Sequence, residues 1–378
     1  MTAEFVIVGG GAHGCAVAYH LAKAGAAVTL LEAGAIGQEA SGGSGKRGVR
    51  ANRRDLRELG LMTEAYELWP GLADELEHET GYERTGGVYL IEEEVVGTSG
   101  GWVAARAHAD AQNRIGVPTE VWDADRIREV LPGISENIKG GIHTPLDGVA
   151  SQTATTRAYA RAAHRHGARL IEGTAVASLR SDSSGRVTAV VTDTGEVIAA
   201  SRDVLLANNS AAAQLAEDWL GVRLPMWNIY PQALFLRAEN SVTIPLLTGH
   251  ESRALSVKIL DGDVIMLSGG WRGKLNAETG RGELVQKNID GNLSQLTSVF
   301  PGLGELELLE ADASRAEAVS VDAIPFIGPI SANVFVAAGW SAHGWALVPA
   351  ASKRIAELLL TGESSAVLDP FSPARIKI

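Results

Sequence analysis

A chain of 378 residues has room for two or three domains with ample core. A hydrophobic share of 46% and a charged share of 21% exclude a disordered chain, and a net charge of −12 argues against a fold-wide nucleic-acid surface. The one cysteine, Cys15, excludes an internal disulfide or a multi-cysteine metal site and fits a reducing cytosol.

The stretch Phe5–Leu31 is apolar and Ala-rich, but it lacks a basic leader and is broken by Gly9-Gly10-Gly11, His13, His20 and Lys23. Neither a signal peptide nor a membrane anchor is expected there. Phe5-Val6-Ile7-Val8 reads as a buried parallel strand. Gly9-Gly10-Gly11-Ala12-His13-Gly14 follows, then a helix over 12–24 closed by Gly25, and a second strand, Val28–Leu31, that ends at Glu32. A Gly/Ser loop, Ser41–Gly45, leads into Lys46-Arg47-Gly48-Val49-Arg50. A helix is expected over 55–76, apolar at Leu59, Met62, Tyr66 and Trp69. Of the arginines at 47, 50, 53, 54 and 57, most are expected on a solvated helix face; Arg50, directly after the Gly-rich loop, is the one placed to enter a site.

Further along, a strand is expected over 86–91, helices over 101–115, 124–130 and 152–166, and a strand over 168–172. Strands follow at 187–192, 196–199 and 203–207. From Asn228 to Gly270 the pattern alternates and carries turn signals such as Asp261-Gly262, the mark of an antiparallel sheet. The chain closes with a strand over 334–339, the turn Trp340-Ser341-Ala342-His343-Gly344, and a helix to about Leu360 stopped by Gly362. His164 and His166 are spaced i, i+2, so they do not share a helix face, and no metal site is expected.

The first forty residues carry a specific chemistry. Gly9 permits a sharp turn, Gly11 lets a pyrophosphate approach the backbone, and Gly14 lets the helix pack close to the strand. Ala12 and His13 open the helix, whose free N–H groups and partial positive charge favour phosphates. Glu32 stands where a carboxylate can accept the ribose hydroxyls. This βαβ unit does not itself separate NAD from FAD.

These pieces, with Gly48-Val49-Arg50, Pro145-x-Asp147-Gly148, Asp322-x-x-Pro325-x-Ile327-Gly328 and Ala338-Gly339-Trp340-Ser341-Ala342-His343-Gly344, resemble the FAD-dependent amine oxidoreductases of the D-amino acid oxidase, glycine oxidase and sarcosine oxidase superfamily. The likeness runs from Glu4 to about Arg375 and is nearest to β subunits of hetero-oligomeric dehydrogenases and oxidases of proline, hydroxyproline, sarcosine or opines. It implies an α/β plus α+β architecture. A Rossmann-type, glutathione-reductase-like FAD domain would comprise 1–80, 145–215 and 320–378. A substrate domain on a mixed or antiparallel sheet would comprise 81–144 and 216–319. It further implies FAD contacts from Ser41, Ser44, Gly45, Lys46 and Val176, and from Gly339, Ser341, Ala342, His343, Gly344 and Trp345.

Flavin oxidation of a C–N bond needs few protein groups: a carboxylate anchor, an apolar roof and positive potential near the flavin edge. Arg50 matches the substrate-carboxylate arginine of sarcosine oxidases, and its guanidinium suits bidentate binding. His343 is expected to line the site, where the following helix aims its dipole. Trp340, Trp345, Trp271 and Tyr230 are candidate aromatic walls or plain core. Either Lys258 or Val257 takes the place of the oxygen-activating lysine of monomeric sarcosine oxidases. The chain departs from that family at three points. Asn208-Asn209 replaces an Ala-Gly pair, Ala346 replaces a lysine, and 312–318 holds no cysteine, so noncovalent FAD is expected. The expected activity is oxidation of an amino acid or N-substituted amino acid to an imine that hydrolyses, with possible electron-transfer subunits as partners and no integral membrane segment. A stand-alone D-amino-acid or glycine oxidase using O2, and a non-catalytic flavin-binding scaffold, are the alternatives.

Overall fold

A computed structural model describes residues 2–43, 45–98 and 100–376. Two large sheets dominate. In the first, strands Phe326–Pro329, Val334–Ala338, Val197–Leu206, Thr2–Val8, Val28–Leu31 and Arg169–Ile171 lie side by side in that order, and Val187–Thr192 and Val176–Ser181 pair outward from Val197–Leu206. Its central pairings are parallel. The central strand carries the unbroken apolar run Phe5-Val6-Ile7-Val8, buried on both faces as a covered parallel sheet requires.

Three helices cover one face: α1 (Ala12–Lys23), α2 (Leu59–Leu68) and, after the short α3 (Leu72–Leu76), α4 (Ala105–Ile115) and α5 (Ala124–Val130), the long α6 (Gln152–Arg165). Cys15, Val17 and Leu21 of α1, Leu61 and Met62 of α2, and Tyr159 and Ala163 of α6 form one core with the sheet. α7 (Ala212–Leu220) covers the opposite face. The second sheet runs Leu306–Asp312, Ala233–Ala238, Val264–Ser268, Ser256–Leu260, Leu247–His250, Gly87–Ile91, Gly140–Thr144 and Glu120–Asp123. It is antiparallel except where Leu247–His250 meets Gly87–Ile91. α8 (Gln286–Val299) buries Ile289, Leu296 and Val299 against it, and α9 (Gly344–Thr361) returns to pack on α1.

Local differences from the sequence reading have physical causes. The helix expected over 55–76 is broken, because Pro70 and Gly71 interrupt it: a short 3-10 turn over 69–71 separates α2 from α3. The strands expected over 196–199 and 203–207 are one, Val197–Leu206, whose pairing with Thr2–Val8 shifts register between Ala3 and Phe5 and so carries the strand through the interval. α8 was not expected, since its Gly, Asn and Ser content hides it; Trp271 lies over Gly291, where a Cβ would come within 2.6 Å of the ring. Among the described residues no helix is long and apolar enough to cross a membrane.

Candidate functional site

Both α1 and α9 start at the edge of the first sheet where its parallel strands end. Neither N-terminus carries a side-chain cap or an acid in its first turn, so both leave N–H groups free. Gly9 has φ +113, and a Cβ there would lie 2.8 Å from the Asn208 backbone. A Cβ on Gly14 would be driven into the Gly9 carbonyl, whereas the space beside Gly11 is open to 4 Å. Glu32 accepts from Gly10 N–H at 2.6 Å and from Gly34 N–H at 2.8 Å, which fixes its carboxylate while leaving lone pairs for further donors. His13 is a joint between the two helices: its ring stacks on Trp340 at 3.6 Å, and its nitrogens lie 3.2 Å from Ser352 Oγ and 3.1 Å from Gly344 O. Burial pushes it down to about 3, so it is neutral.

The C-terminal turn is held in a left-handed path, with Gly339, Ser341 and Ala342 at φ 77, 54 and 63. Buried Glu317 supports it, accepting from Ala342 N–H at 2.9 Å and from Ser41 Oγ at 2.6 Å, and so ties this turn to the 41–45 loop. Asn209 adopts φ 37 and accepts from Gly339 N–H at 3.0 Å, so the Asn-Asn pair secures the turn with a side chain. A buried Asn208 oxygen, Oδ1, has no partner among the described residues. Val176 begins the strand Val176–Ser181, two residues after Thr174, whose N–H donates to Glu32 O at 2.9 Å. Trp345 is tilted against Trp69 in the α-helical core, while Trp271 and Tyr230 pack under α8 and beside Gly282. Gly45, at φ 101, passes beneath the second sheet, within 3.7 Å of where Leu260, Phe235 and Met266 would meet a Cβ. Lys46 turns to the rim, 2.6 Å from Glu83. Ser44 lies outside the described residues.

The second sheet roofs this edge, and its recess is lined by Arg50, Asn52, Tyr89, Asp147, Leu247 and Ser256. The Arg50 guanidinium lies 5.9 Å from the Tyr89 ring centre and donates to Asn52 O, which leaves about 10 Å³ of free space beside it. Its backbone is pinned. Asp147 accepts from Ala51 N–H at 2.7 Å and from the Tyr66 hydroxyl. Burial lifts the Asp147 carboxyl to about 6.

Arg54 joins the two halves of the site. Its Nε donates to Arg50 O at 2.5 Å and a terminal nitrogen donates to His343 O at 2.7 Å. Fully buried Glu58 sits 3.4 Å from Arg54 and 3.6 Å from His343 Nδ1. The expected solvated arginine face therefore holds for Arg53 and Arg57, whose side chains are 48% and 41% exposed, but not for Arg54 or Arg47. Arg47 is half-buried, donates to Gly42 O and Gly43 O and lies 3.2 Å from Met266 Sδ. Lys258 pairs with Met266 on the roof face turned toward this loop, whereas Val257 belongs to the roof's own core. Burial, with Arg47 and Arg50 nearby, pushes Lys258 down to about 7. Arg54, Glu58 and Glu317 had no sequence signal as site residues, because the groups that tie them to the site, such as His343 and Ser41, are remote in the chain.

The glycine cradle, two open helix N-termini and the clamped Glu32 fit an adenine dinucleotide, and the sheet above them fits a flavin enzyme with a separate substrate roof. The model of the FAD-dependent oxidoreductase family matches residues 4–358, and the chain belongs to that family. Glycine oxidase of Geobacillus kaustophilus (strain HTA426) is 28% identical over 98% of this chain and 97% of its own. Sarcosine oxidase subunit beta of Arthrobacter sp is 26% identical over 99% of this chain and 91% of its own. In fold, the chain is similar to L-proline dehydrogenase from P. horikoshii, with a TM-score of 0.87 and 24% identity over 99% of this chain and 97% of that one. The protein is thus an FAD-dependent oxidoreductase. The groups that could hold FAD are the backbone of Gly9–Gly14, Glu32 and the 339–344 turn.

Proposed function

We propose that this enzyme oxidises the C–N bond of an amino acid or an N-substituted amino acid. The observation that carries the reading is Arg50: a guanidinium under an apolar, aromatic roof, on a loop that Asp147 and Arg54 hold in register with the FAD cradle. When bound, FAD supplies the two-electron acceptor for the C–H bond beside the nitrogen. Arg50 takes the substrate carboxylate with two parallel hydrogen bonds, which fixes orientation as well as charge. Tyr89 and Leu247 exclude water above it. His343, at the start of α9, faces the same loop through Arg54, and the helix end behind it favours developing negative charge.

FAD is held without a covalent bond in this reading. Cys15 is buried, burial pushes its thiol well up, and 312–318 has no cysteine. Acid precipitation should leave the flavin in the supernatant; flavin in the pellet would contradict this. The likeness to sarcosine oxidase subunits beta supports work as one subunit of a larger assembly, and the native mass of the enzyme purified from its own cells tests it. For the activity itself, a panel of amino acids and N-methyl amino acids is added anaerobically to the yellow protein. Bleaching near 450 nm is expected with some carboxylated amines. Bleaching only by amines without a carboxylate would refute it.

A further inference from the structure

Four polar atoms are buried together at the start of α9 with no hydrogen-bond partner among the described residues: Arg54 Nη1, both Glu58 carboxylate oxygens and His343 Nδ1. Fully buried Glu58 has Arg54 at 3.4 Å and His343 Nδ1 at 3.6 Å. Arg54 commits its other donors to Arg50 O and His343 O, so one guanidinium joins the carboxylate-anchor loop to the 339–344 turn. The imidazole stands at that junction with its two nitrogens in different surroundings. Nδ1 is enclosed and faces Glu58. Nε2 has no hydrogen bond among the described residues and is not enclosed, the side chain being 25% exposed. A carboxylate on one side of a histidine ring keeps the proton on that nitrogen and leaves the lone pair on the other. The charged groups that act on His343 are Glu58, Arg50 and Arg54. Burial, with Arg50 and Arg54 nearby, pushes the imidazole down, so it is neutral at rest. Burial also works against the Glu58 charge, but Arg54 and His343 hold its carboxyl below the usual range, so it is ionised and able to stabilise an imidazolium.

We propose that His343 takes the proton from the ammonium of the amine substrate, and that Glu58 is the positioning residue that holds His343 Nδ1–H and stabilises the imidazolium. The proposal rests on the reading of Arg50 as the carboxylate anchor. In an α-amino acid the nitrogen lies about 2.5 Å from the carboxylate carbon. A carboxylate on Arg50 therefore keeps the ammonium beside the junction where Arg54 joins Arg50 to His343. Removing that proton is a chemical requirement, because an ammonium has no lone pair with which to form C=N. The step balances. One N–H bond of the ammonium breaks, a bond from that proton to His343 Nε2 forms, and the freed lone pair stays on the substrate nitrogen. As the neighbouring carbon gives up a hydride to FAD, the lone pair becomes the second bond of an iminium. The proton on His343 passes to water at the open side of the ring.

The test uses the purified holoenzyme and a carboxylated amine that bleaches its flavin, in anaerobic stopped flow at limiting substrate as a function of pH. The proteins are the wild type, His343→Gln, Glu58→Gln, Glu58→Asp and Arg50→Lys. In the wild type the reduction rate should rise as His343 loses its proton and fall as the free amine loses its own. In His343→Gln the rise should move up to the pKa of the amine itself, and the rate at neutral pH should drop about 100-fold. Glu58→Gln should shift the rise to lower pH with a smaller loss of rate, and Glu58→Asp should restore part of both. A second readout does not depend on turnover. In the NMR spectrum of holoenzyme with labelled histidine, the signal missing from His343→Gln identifies the ring. Glu58→Gln should move its titration to lower pH, and Glu58→Asp should move it back. An unchanged pH profile in His343→Gln, an unmoved His343 titration in Glu58→Gln, or loss of flavin from both variants would overturn the proposal. If Arg50→Lys leaves reduction unaltered, or no carboxylated amine bleaches the wild type, the underlying reading of the site fails. If Arg50→Lys responds and His343→Gln keeps the wild-type profile, only this inference fails.

Discussion

On the nucleotide side of the cleft the groups open to a ligand are backbone: the N–H groups of two uncapped helix starts and a turn shaped by Gly9, Gly11 and Gly14. On the roof side, in the reading proposed above, they are side chains: Arg50 and Tyr89, with the Arg54–Glu58 pair behind them. A backbone cradle tolerates little change in shape and recognises what every dinucleotide shares. A side-chain roof can be rebuilt residue by residue, so substrate choice resides there.

The largest expected effect falls on the cradle. Gly14→Val drives its side chain into the Gly9 carbonyl, and α1 can no longer pack on its strand. The flavin-to-protein ratio, read from absorbance, should fall close to zero. A yellow Gly14→Val protein would show that the cradle is not built from close backbone approach.

Glu58→Ala tests the strut between the two sides. It leaves Arg54 buried without its carboxylate partner, and breaking such a pair costs about 3–5 kcal/mol. Denaturant unfolding of the holoenzyme should show a loss of that order. Replacing Arg54 and Glu58 together by Leu and Met should recover part of it; if the double variant is no better than the single one, the pair is not the source of the loss.

The smallest effect concerns pH. The Asp147 carboxyl is raised from 3.8 to about 6, so between those values the folded state holds a proton that the unfolded chain has released. Stability from this group falls as pH rises through that window and is level above it. Asp147→Asn has no such proton, so the stability difference between wild type and Asp147→Asn should change between about pH 4 and 6 and nowhere else. A flat difference across that range would place the Asp147 titration elsewhere.

The same division explains how much was readable from the sequence. The cradle is made by neighbours in the chain, so Gly9, Gly11, Gly14 and Glu32 announce it by spacing alone. Arg50 was readable because it follows a Gly-rich loop. Arg54 was not, because what buries it are the carbonyls of Arg50 and of the distant His343. Glu58 reads as one charge of a surface helix until the 55–58 segment folds as a short 3-10 turn under the last helix. The choice between Val257 and Lys258 is a one-residue register question. Period-two alternation makes the two residues face opposite ways, and the pairing of Lys258 with Met266, which packs with Ala233 and Phe235, puts Lys258 on the face opposite the roof core that holds Val257.

The central claim is that Arg50 binds the carboxylate of an amine substrate. Arg50→Lys keeps the charge and loses the paired geometry, so kcat/KM should fall about 10- to 150-fold for a carboxylated amine that bleaches the flavin. The same substitution should barely alter kcat/KM for that amine's decarboxylated analogue, and flavin content should stay normal. Measuring both substrates on both proteins gives a double difference: a value of about 1.5–3 kcal/mol is the predicted result, and a value near zero, or an Arg50→Lys protein without flavin, would contradict the account.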